Sequence, residues 1–474
     1  MKISDHIRPA NWHSVLFQLA GALGLFGILT IVPLIVSIIL GEFLYVRIFG
    51  ILIVSTITIG FGWRRFTPSV SPMKLTDALI VTALVYLIFS LVGAIPFLPV
   101  KPFLDSLFEA MSGFTTTGLS TMDESLIPYS LHFFRAYAQW LGGMGIIVLS
   151  LAILLRPGKS AFKLYSSEFG ETNILGSVVS TAKAVIKVYL TLTVVGFLAF
   201  YLAGMGPFSA LIHIMTTIPT GGFSLYPDSI GHYNSPVISF TVTIFMILGA
   251  ISFPLYYISV KEDFRRFFRD HQVQTLLLLI LVGTLIFSLT FGSSFSNVVP
   301  GLFQTSTAIT TTGFNTVPTG PLSDGNKFVT VILMIVGGGT GSTAGGIKIF
   351  RLLILLAMIR VVFFRTLLPR EAKLPLKFGN LTVTGEEVES IFSFFVAYLT
   401  ILVLSTLIVV WVEGFSLIDS LFEVASAEGT VGMSVGITSS SLNPFTKLVL
   451  IVNMWLGRLE IIPVLVALYP KSWR

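Results

Sequence analysis

The sequence predicts an all-α polytopic membrane protein: four helix–re-entrant loop–helix repeats around one pore, plus two extra N-terminal transmembrane helices. Three observations carry that expectation. Of 474 residues, 54% are hydrophobic and 11% charged, with a mean hydropathy of +0.90; a soluble domain carries roughly 25% charge. The stretches 9–41, 78–100, 136–155, 188–227, 229–260, 271–323, 328–347 and 390–412 contain no Asp, Glu, Lys or Arg. One semi-polar motif also returns four times between the apolar stretches. No soluble fold hides this much apolar surface, which excludes a cytoplasmic enzyme, a nucleic-acid binder and a disordered chain. With no cysteine, disulfides and thiolate metal sites are excluded as well.

A spanning helix needs about 20 mostly apolar residues. The first stretch is too long for a signal-peptide core and is read as a retained helix at about 15–40. A second helix follows at about 43–63, completing an N-terminal pair over 1–74. Repeat 1 (75–165) has helices at about 77–99 and 130–155. Repeat 2 (166–270) has them at about 185–205 and 236–259. Repeat 3 (271–380) has them at about 272–292 and 327–358, the second one broken. Repeat 4 (381–474) has them at about 389–412 and 445–468.

Basic residues sort the loops. Alternate segments collect Lys2 and Arg8; Arg64, Arg65 and Lys74; Arg156, Lys159, Lys163, Lys183 and Lys187; Lys261, Arg265, Arg266 and Arg269; Arg360, Arg365, Arg370, Lys373 and Lys377; and Lys471 and Arg474, together 21 of the 29. The other loops keep Arg47, Lys101, Lys327 and Lys447. By the positive-inside rule both termini are cytoplasmic. Orientation therefore explains most of the net charge of +6.

The repeated motif is FEAMSGFTTTGLST (108–121), IHIMTTIPTGGFSL (212–225), FQTSTAITTTGFNT (303–316) and FEVASAEGTVGMSV (422–435). Its eleventh column is Gly118, Gly222, Gly313 and Gly432; its ninth is Thr116, Thr220, Thr311 and Thr430. Four occurrences in matched positions make a repeat. Irregular backbone at membrane depth survives only where it is buried in protein or lines a water-filled cavity. A short helix before each Thr-x-Gly would point its negative end at the loop. Glycine would then let successive carbonyls face one way. Four such loops give a ring of oxygens that replaces the water shell of a cation. The threonine hydroxyls add a further layer. The competing reading is ordinary turn and helix-contact usage of Thr and Gly.

At these residues the chain resembles a family. Thr430-Val431-Gly432-Met433 resembles the start of the potassium-channel filter. The fourfold pattern, with GGGTGSTAGGIKIFR at 337–351 and WLGRLE at 455–460, resembles the Trk/Ktr/HKT superfamily of potassium transporters. The two extra N-terminal helices make it most similar to the TrkH branch. The resemblance covers the chain after about residue 70, and the part before more loosely. It implies potassium as the transported ion, no covalently bound cofactor, and a prokaryotic inner membrane. It implies a homodimer and a cytoplasmic TrkA-type ring of nucleotide-binding regulatory subunits. The filter would be Thr115, Thr116, Thr117 and Gly118; Pro219, Thr220, Gly221 and Gly222; Thr310, Thr311, Thr312 and Gly313; and Gly429, Thr430, Val431 and Gly432. The first three loops depart from Thr-Val-Gly and lack the second Gly of a strict potassium channel, and some family members with altered filters also pass sodium. By resemblance, Gly rather than Ser at the first filter position favours potassium.

Gly337, Gly338, Gly339, Gly341, Gly345 and Gly346 will not hold a straight helix. They predict a flexible intramembrane loop under the filter, which the family reading makes a gate. A nucleotide fingerprint needs a strand and a βαβ unit, absent from an apolar span; tight packing by small residues is the other reading. Lys348 and Arg458 are expected at the same barrier, as gate or permeation residues. The alternatives are snorkelling for Lys348 and a structural ion pair for Arg458. Arg458 and Glu460 stand where the first repeat has Gly143 and Gly145. Glu428 either hydrogen-bonds behind the fourth loop or faces the outer vestibule. Glu109 and Glu423 are expected early on their short helices, and Arg135 at the outer interface. The basic run 360–377 is read as a solvated or lipid-contacting loop that would meet the regulatory ring. The histidines lack metal-ligand spacing, and no nucleophile–base pair suggests an enzyme. The functional expectation is potassium uptake through a four-loop filter. The alternatives are a proton- or sodium-coupled symporter and a less selective potassium/sodium pathway on the same fold. A midplane transporter would need inverted repeats, which repeats of one orientation do not supply.

Overall fold

The computed structural model describes residues 9–66, 73–154, 178–290, 298–369, 376–378 and 381–473. Of the residues used to orient the chain, Lys2, Arg8, Arg156, Lys159, Lys163, Arg370, Lys373 and Arg474 lie outside the described residues, as does the boundary between residues 165 and 166. Among the described residues the regular structure is helical apart from one two-residue antiparallel ladder, β1 (Lys377–Phe378) with β2 (Leu381–Thr382). The repeat boundary at residue 380 falls between these two paired strands.

An N-terminal hairpin packs α1 (Trp12–Leu29) and α2 (Ile31–Ile39) against α3 (Phe43–Phe66). Asn11 caps α1 through the N–H groups of His13 and Ser14. A first unit follows: α4 (Leu75–Gly93), α5 (Phe103–Phe114) and α6 (Tyr129–Leu154). A second has α7 (Val178–Leu202), α8 (Pro207–Thr217), α9 (Pro236–Gly249) and α10 (Phe253–Lys261), with α11 (Arg265–Arg269) leading out. The third has α12 (His271–Thr290), α13 (Val298–Ile309), α14 (Asp324–Val336) and α15 (Ile349–Leu367). The fourth has α16 (Gly385–Glu413), α17 (Leu417–Glu428), α18 (Pro444–Arg458) and α19 (Ile462–Leu468). Caps recur at equivalent places: Ser235, Ser323 and Asn443 accept backbone N–H groups at the starts of α9, α14 and α18. Such side chains satisfy donors that the first helical turn leaves free.

Among the described residues, six helices suffice by length and composition to cross a membrane, or eight if each of two bent pairs is one span. The other two segments read as spans are α6 and the interrupted pair α14–α15. Two expected spans are not straight. The segment 236–259 bends by 88° between α9 and α10, and 445–468 bends by 118° between α18 and α19. Proline stands in the first turn of α10 and of α19, where it cannot continue a preceding helix. At the second bend Glu460 and Ile461 are both left-handed, at φ 56° and 63°. The third unit is broken where its glycines predict: α14 ends at Val336 and α15 starts at Ile349.

The short helices α5, α8, α13 and α17 form the middle of the molecule, with most of their side chains buried. Large apolar side chains such as Ile39, Ile51, Leu278, Leu289 and Trp411 stand exposed on the outer helices, as lipid contact requires. Neighbouring units are tied by ion pairs made by buried lysines. Lys327 on α14 pairs with Asp419 on α17 at 2.7 Å, and Lys447 on α18 pairs with Asp105 on α5 at 2.6 Å. The second pair joins the fourth unit to the first. Asp105→Ala leaves the Lys447 ammonium buried without its counter-charge, at a cost of about 3–5 kcal/mol. A lower thermal-unfolding midpoint in detergent, with a smaller drop for Asp105→Asn, is the expected result.

Candidate functional site

Each short helix ends in the same way. The ninth-column threonine donates its N–H to the sixth-column carbonyl: Thr116 to Gly113, Thr220 to Thr217, Thr311 to Ala308 and Thr430 to Ala427, at 3.0, 2.9, 3.2 and 3.2 Å. The tenth-column N–H reaches back to the fifth-column carbonyl: Thr117 to Ser112, Gly221 to Thr216, Thr312 to Thr307 and Val431 to Ser426, at 2.9, 2.8, 3.0 and 2.8 Å. These two bonds make a Schellman end, whose left-handed residue is usually Gly. Here it is threonine all four times, at φ 53°, 54°, 53° and 50°. A left-handed residue with a Cβ costs roughly 1–2 kcal/mol. Strain of this kind gathers at functional sites. The sequence marked the threonine column, but not its backbone; the eleventh-column glycines were the only left-handed positions it announced.

Those glycines are left-handed too, Gly118, Gly222, Gly313 and Gly432 at φ 96°, 73°, 85° and 93°. They explain how the loops meet. A Cβ on Gly118 would lie 2.1 Å from the Gly221 carbonyl oxygen, and one on Gly222 would lie 1.9 Å from that of Thr312. One on Gly313 would lie 1.9 Å from the Val431 oxygen, and one on Gly432 would lie 2.2 Å from that of Thr117. Each glycine thus rests on the tenth-column carbonyl of the next loop, in chain order, and the fourth returns to the first. The sixteen residues expected at a filter are brought together in this closed ring.

The ring is not fourfold in its side chains. Thr115 and Thr117 share a hydrogen bond at 2.8 Å, and Thr310 and Thr312 do the same at 2.8 Å. Pro219 and Gly429 replace the first of these threonines in the other two loops. Gln139 clamps the second loop, donating to the Gly221 carbonyl at 2.7 Å and accepting from Phe223 N–H at 3.2 Å. Sequence reasoning missed Gln139, which lies far from the motif.

Arg135 is corrected by the structure. It is 1% exposed and no interface anchor. Its Nε pairs with Glu109 at 2.6 Å, Nη1 donates to the Ser224 carbonyl at 3.3 Å, and its guanidinium lies 4.1 Å from the Phe223 ring centre. It joins the first loop to the second. Glu109 and Glu423 lie in the middle of α5 and α17, not in their first turns. Glu428 meets neither expectation: it is fully buried, and both carboxyl oxygens lack a hydrogen-bond partner among the described residues.

The glycine-rich segment lies directly against one side of the ring. Gly345 N–H donates to Thr311 Oγ1 at 2.7 Å. A Cβ on Gly345 would fall 2.0 Å from the Gly429 oxygen and 2.2 Å from Thr430 Oγ1. The segment is held by the bend of the second unit. Gly339 N–H donates to the Ala250 carbonyl at 2.9 Å, and Phe253 N–H to that of Gly341 at 3.1 Å. Thr343 Oγ1 donates to the Ile218 and Gly249 carbonyls at 2.8 and 2.9 Å. Gly337, Gly341 and Gly346 are left-handed at φ 70°, 78° and 72°, while Gly338 packs on Ala250 and Ala344.

Arg458 reaches the same segment, donating to the Thr343 carbonyl at 2.7 Å and to that of Gly142 at 3.1 Å. The ion pair of Glu460 is with Arg351, not Arg458. Lys348 does not snorkel. It is 9% exposed, and its ammonium turns back onto the Ala344 carbonyl. Among the described residues, no group of three His, Asp or Glu is placed to hold a metal ion.

A family model described as TrkH, cation transport protein, matches residues 45–474. A cation transporter of Methanocaldococcus jannaschii is 34% identical over 473 residues, covering 97% of this chain and 96% of the relative. The Trk system potassium uptake protein TrkH of Escherichia coli K12 is 32% identical over 428 residues, 85% of this chain and 87% of the relative. The crystal structure of the potassium transporter TrkH from Vibrio parahaemolyticus superposes with a TM-score of 0.86 at 29% identity, covering 98% of this chain and all of that one.

Proposed function

The chain belongs to the TrkH family of cation transport proteins, and from that premise we propose that it takes up potassium across the inner membrane through the ring of four loops, gated by residues 337–348. It is a transporter and not an enzyme, as its relatives are. The observation that carries the reading is the closed order of contacts, Gly118 on Gly221, Gly222 on Thr312, Gly313 on Val431 and Gly432 on Thr117. Backbone oxygens gathered at such a ring replace the hydration shell of a cation. Left-handed threonine and glycine alternate with ordinary residues, which turns consecutive carbonyls to one side.

Potassium sheds water at the filter formed by residues 115–118, 219–222, 310–313 and 429–432. It then meets the glycine loop, whose Gly345 touches both the third and the fourth loop. Arg458 holds that loop through the Thr343 carbonyl. Arg458 and Lys348 place two positive groups at the barrier, where they disfavour a second cation. The units follow residues 75–165, 166–270, 271–380 and 381–474, after an N-terminal pair over 1–74. Both termini face the cytoplasm, by the basic residues that flank them. A homodimer and a TrkA-type regulatory ring at the cytoplasmic face follow from the family.

An inside-negative potential supplies about 2.3 kcal/mol per 100 mV for each charge. That is roughly fiftyfold accumulation per 100 mV, without a second ion. The test is potassium and sodium flux into liposomes holding the purified protein at an imposed voltage. Potassium flux that follows voltage and excludes sodium is expected. Flux that requires a proton or sodium gradient would keep the fold and make the mechanism symport.

A further inference from the structure

The second column of the motif is polar in every loop: Glu109, His213, Gln304 and Glu423. All four are buried, and each reaches across to the chain that leaves its own loop. Ser120 donates to the Glu109 carboxylate at 3.1 and 3.0 Å. His213 Nε2 shares a hydrogen bond with Ser224 Oγ at 3.1 Å. Gln304 Nε2 donates to the Val317 carbonyl at 3.1 Å. Ser434 donates to Glu423 at 2.7 Å.

In three loops the partner is the thirteenth-column serine. That serine also accepts the N–H two residues on, from Met122, Tyr226 and Gly436 at 3.1, 3.1 and 3.0 Å. A polar strut therefore runs from the short helix to the outgoing limb, with the threonine and glycine of the loop between its ends. The struts differ in charge. Glu109 is neutralised by Arg135. Among the described residues no cationic side chain pairs with Glu423. It accepts instead from Ser434 Oγ, Val435 N–H at 3.2 Å, Thr438 N–H at 2.9 Å and the Thr438 hydroxyl.

We propose that the second-column side chains are positioning residues for ion selection. Each sets how far the outgoing limb stands from its short helix, and so where the loop holds its carbonyls. Glu423 has the largest share, because four donors converge on one carboxylate and charge-assisted hydrogen bonds are about twice as strong as neutral ones. Replacing the carboxylate by an amide puts an N–H₂ where only donors converge. The inference rests on the ring being an ion-selecting filter.

The experiment compares potassium-to-sodium permeability ratios, potassium flux and gel-filtration profiles of the reconstituted wild type, Glu423→Gln, Thr438→Val and Glu389→Gln. Glu389 is exposed at the start of α16 and serves as the control. Glu423→Gln is expected to lower the ratio roughly tenfold while eluting as the wild type, the scale of one lost charge-assisted contact. Thr438→Val is expected to lower it by a smaller factor, and Glu389→Gln not at all. An unchanged ratio in folded Glu423→Gln overturns the proposal. If that variant does not fold, an unchanged ratio in Thr438→Val overturns it. A wild type that passes both cations equally overturns the filter reading itself, and is seen separately in the same measurement.

Discussion

Gly432→Ser is expected to bring the potassium-to-sodium permeability ratio close to one. Gly432 sits at φ 93°, where a side chain adds roughly 1–2 kcal/mol of strain. Sterics add more. Its Cβ would stand 2.2 Å from the Thr117 oxygen and 2.9 Å from Gly118 Cα. Both are backbone atoms, so neither can swing aside. The fourth loop must retreat from the first, and the Thr117 carbonyl loses its support. Gly222→Ala should act alike through the Thr312 oxygen, at 1.9 Å. Liposome flux in mixed potassium and sodium measures both. A variant that folds and still excludes sodium would mean that the ring does not select the ion.

Arg458→Ala is expected to raise potassium flux at least tenfold. Arg458 on α18 holds the glycine segment through the Thr343 carbonyl, and its second hydrogen bond goes to the Gly142 carbonyl on α6. Hydrogen bonds from a charged group contribute about 1.5–3 kcal/mol each. Losing the one to Thr343 shifts the balance between held and released loop about tenfold or more. On the proposed reading a positive charge also leaves the barrier. Arg458→Lys should fall between, since one ammonium cannot reproduce a fork that meets two carbonyls. A fall in flux, with the protein folded, would make Arg458 a support of the conducting state instead of a brake.

The sequence made the helices and the loop motif legible because both are local patterns. Charge-free stretches mark the long helices, and two columns identical in all four occurrences mark the loops. The glycine break announced itself by composition. The two bends were less visible. Pro254 and Pro463 could be read, but the left-handed Glu460 and Ile461 are set by what packs around them, not by their own preference. Arg135 was misread for a related reason. Its role depends on Glu109 and on the Phe223 ring, which the fold brings to it from other elements. The threonine backbone was hidden because a β-branched residue is the last that local propensity would place in a left-handed end.

One chain supplies all four quarters of the ring, and the quarters are not copies. The Thr115–Thr117 and Thr310–Thr312 hydroxyl pairs belong to the first and third loops, while the second and fourth carry Pro219 and Gly429. On the proposed reading an ion in such a ring meets two kinds of loop in alternation, related by a twofold and not a fourfold axis. A pore assembled from four identical subunits has no such choice, because any codon change there appears four times at once. Here a single substitution alters one quarter and leaves three intact. On the proposed reading, ion preference is therefore open to change one loop at a time at positions other than the glycines that carry the contacts between loops.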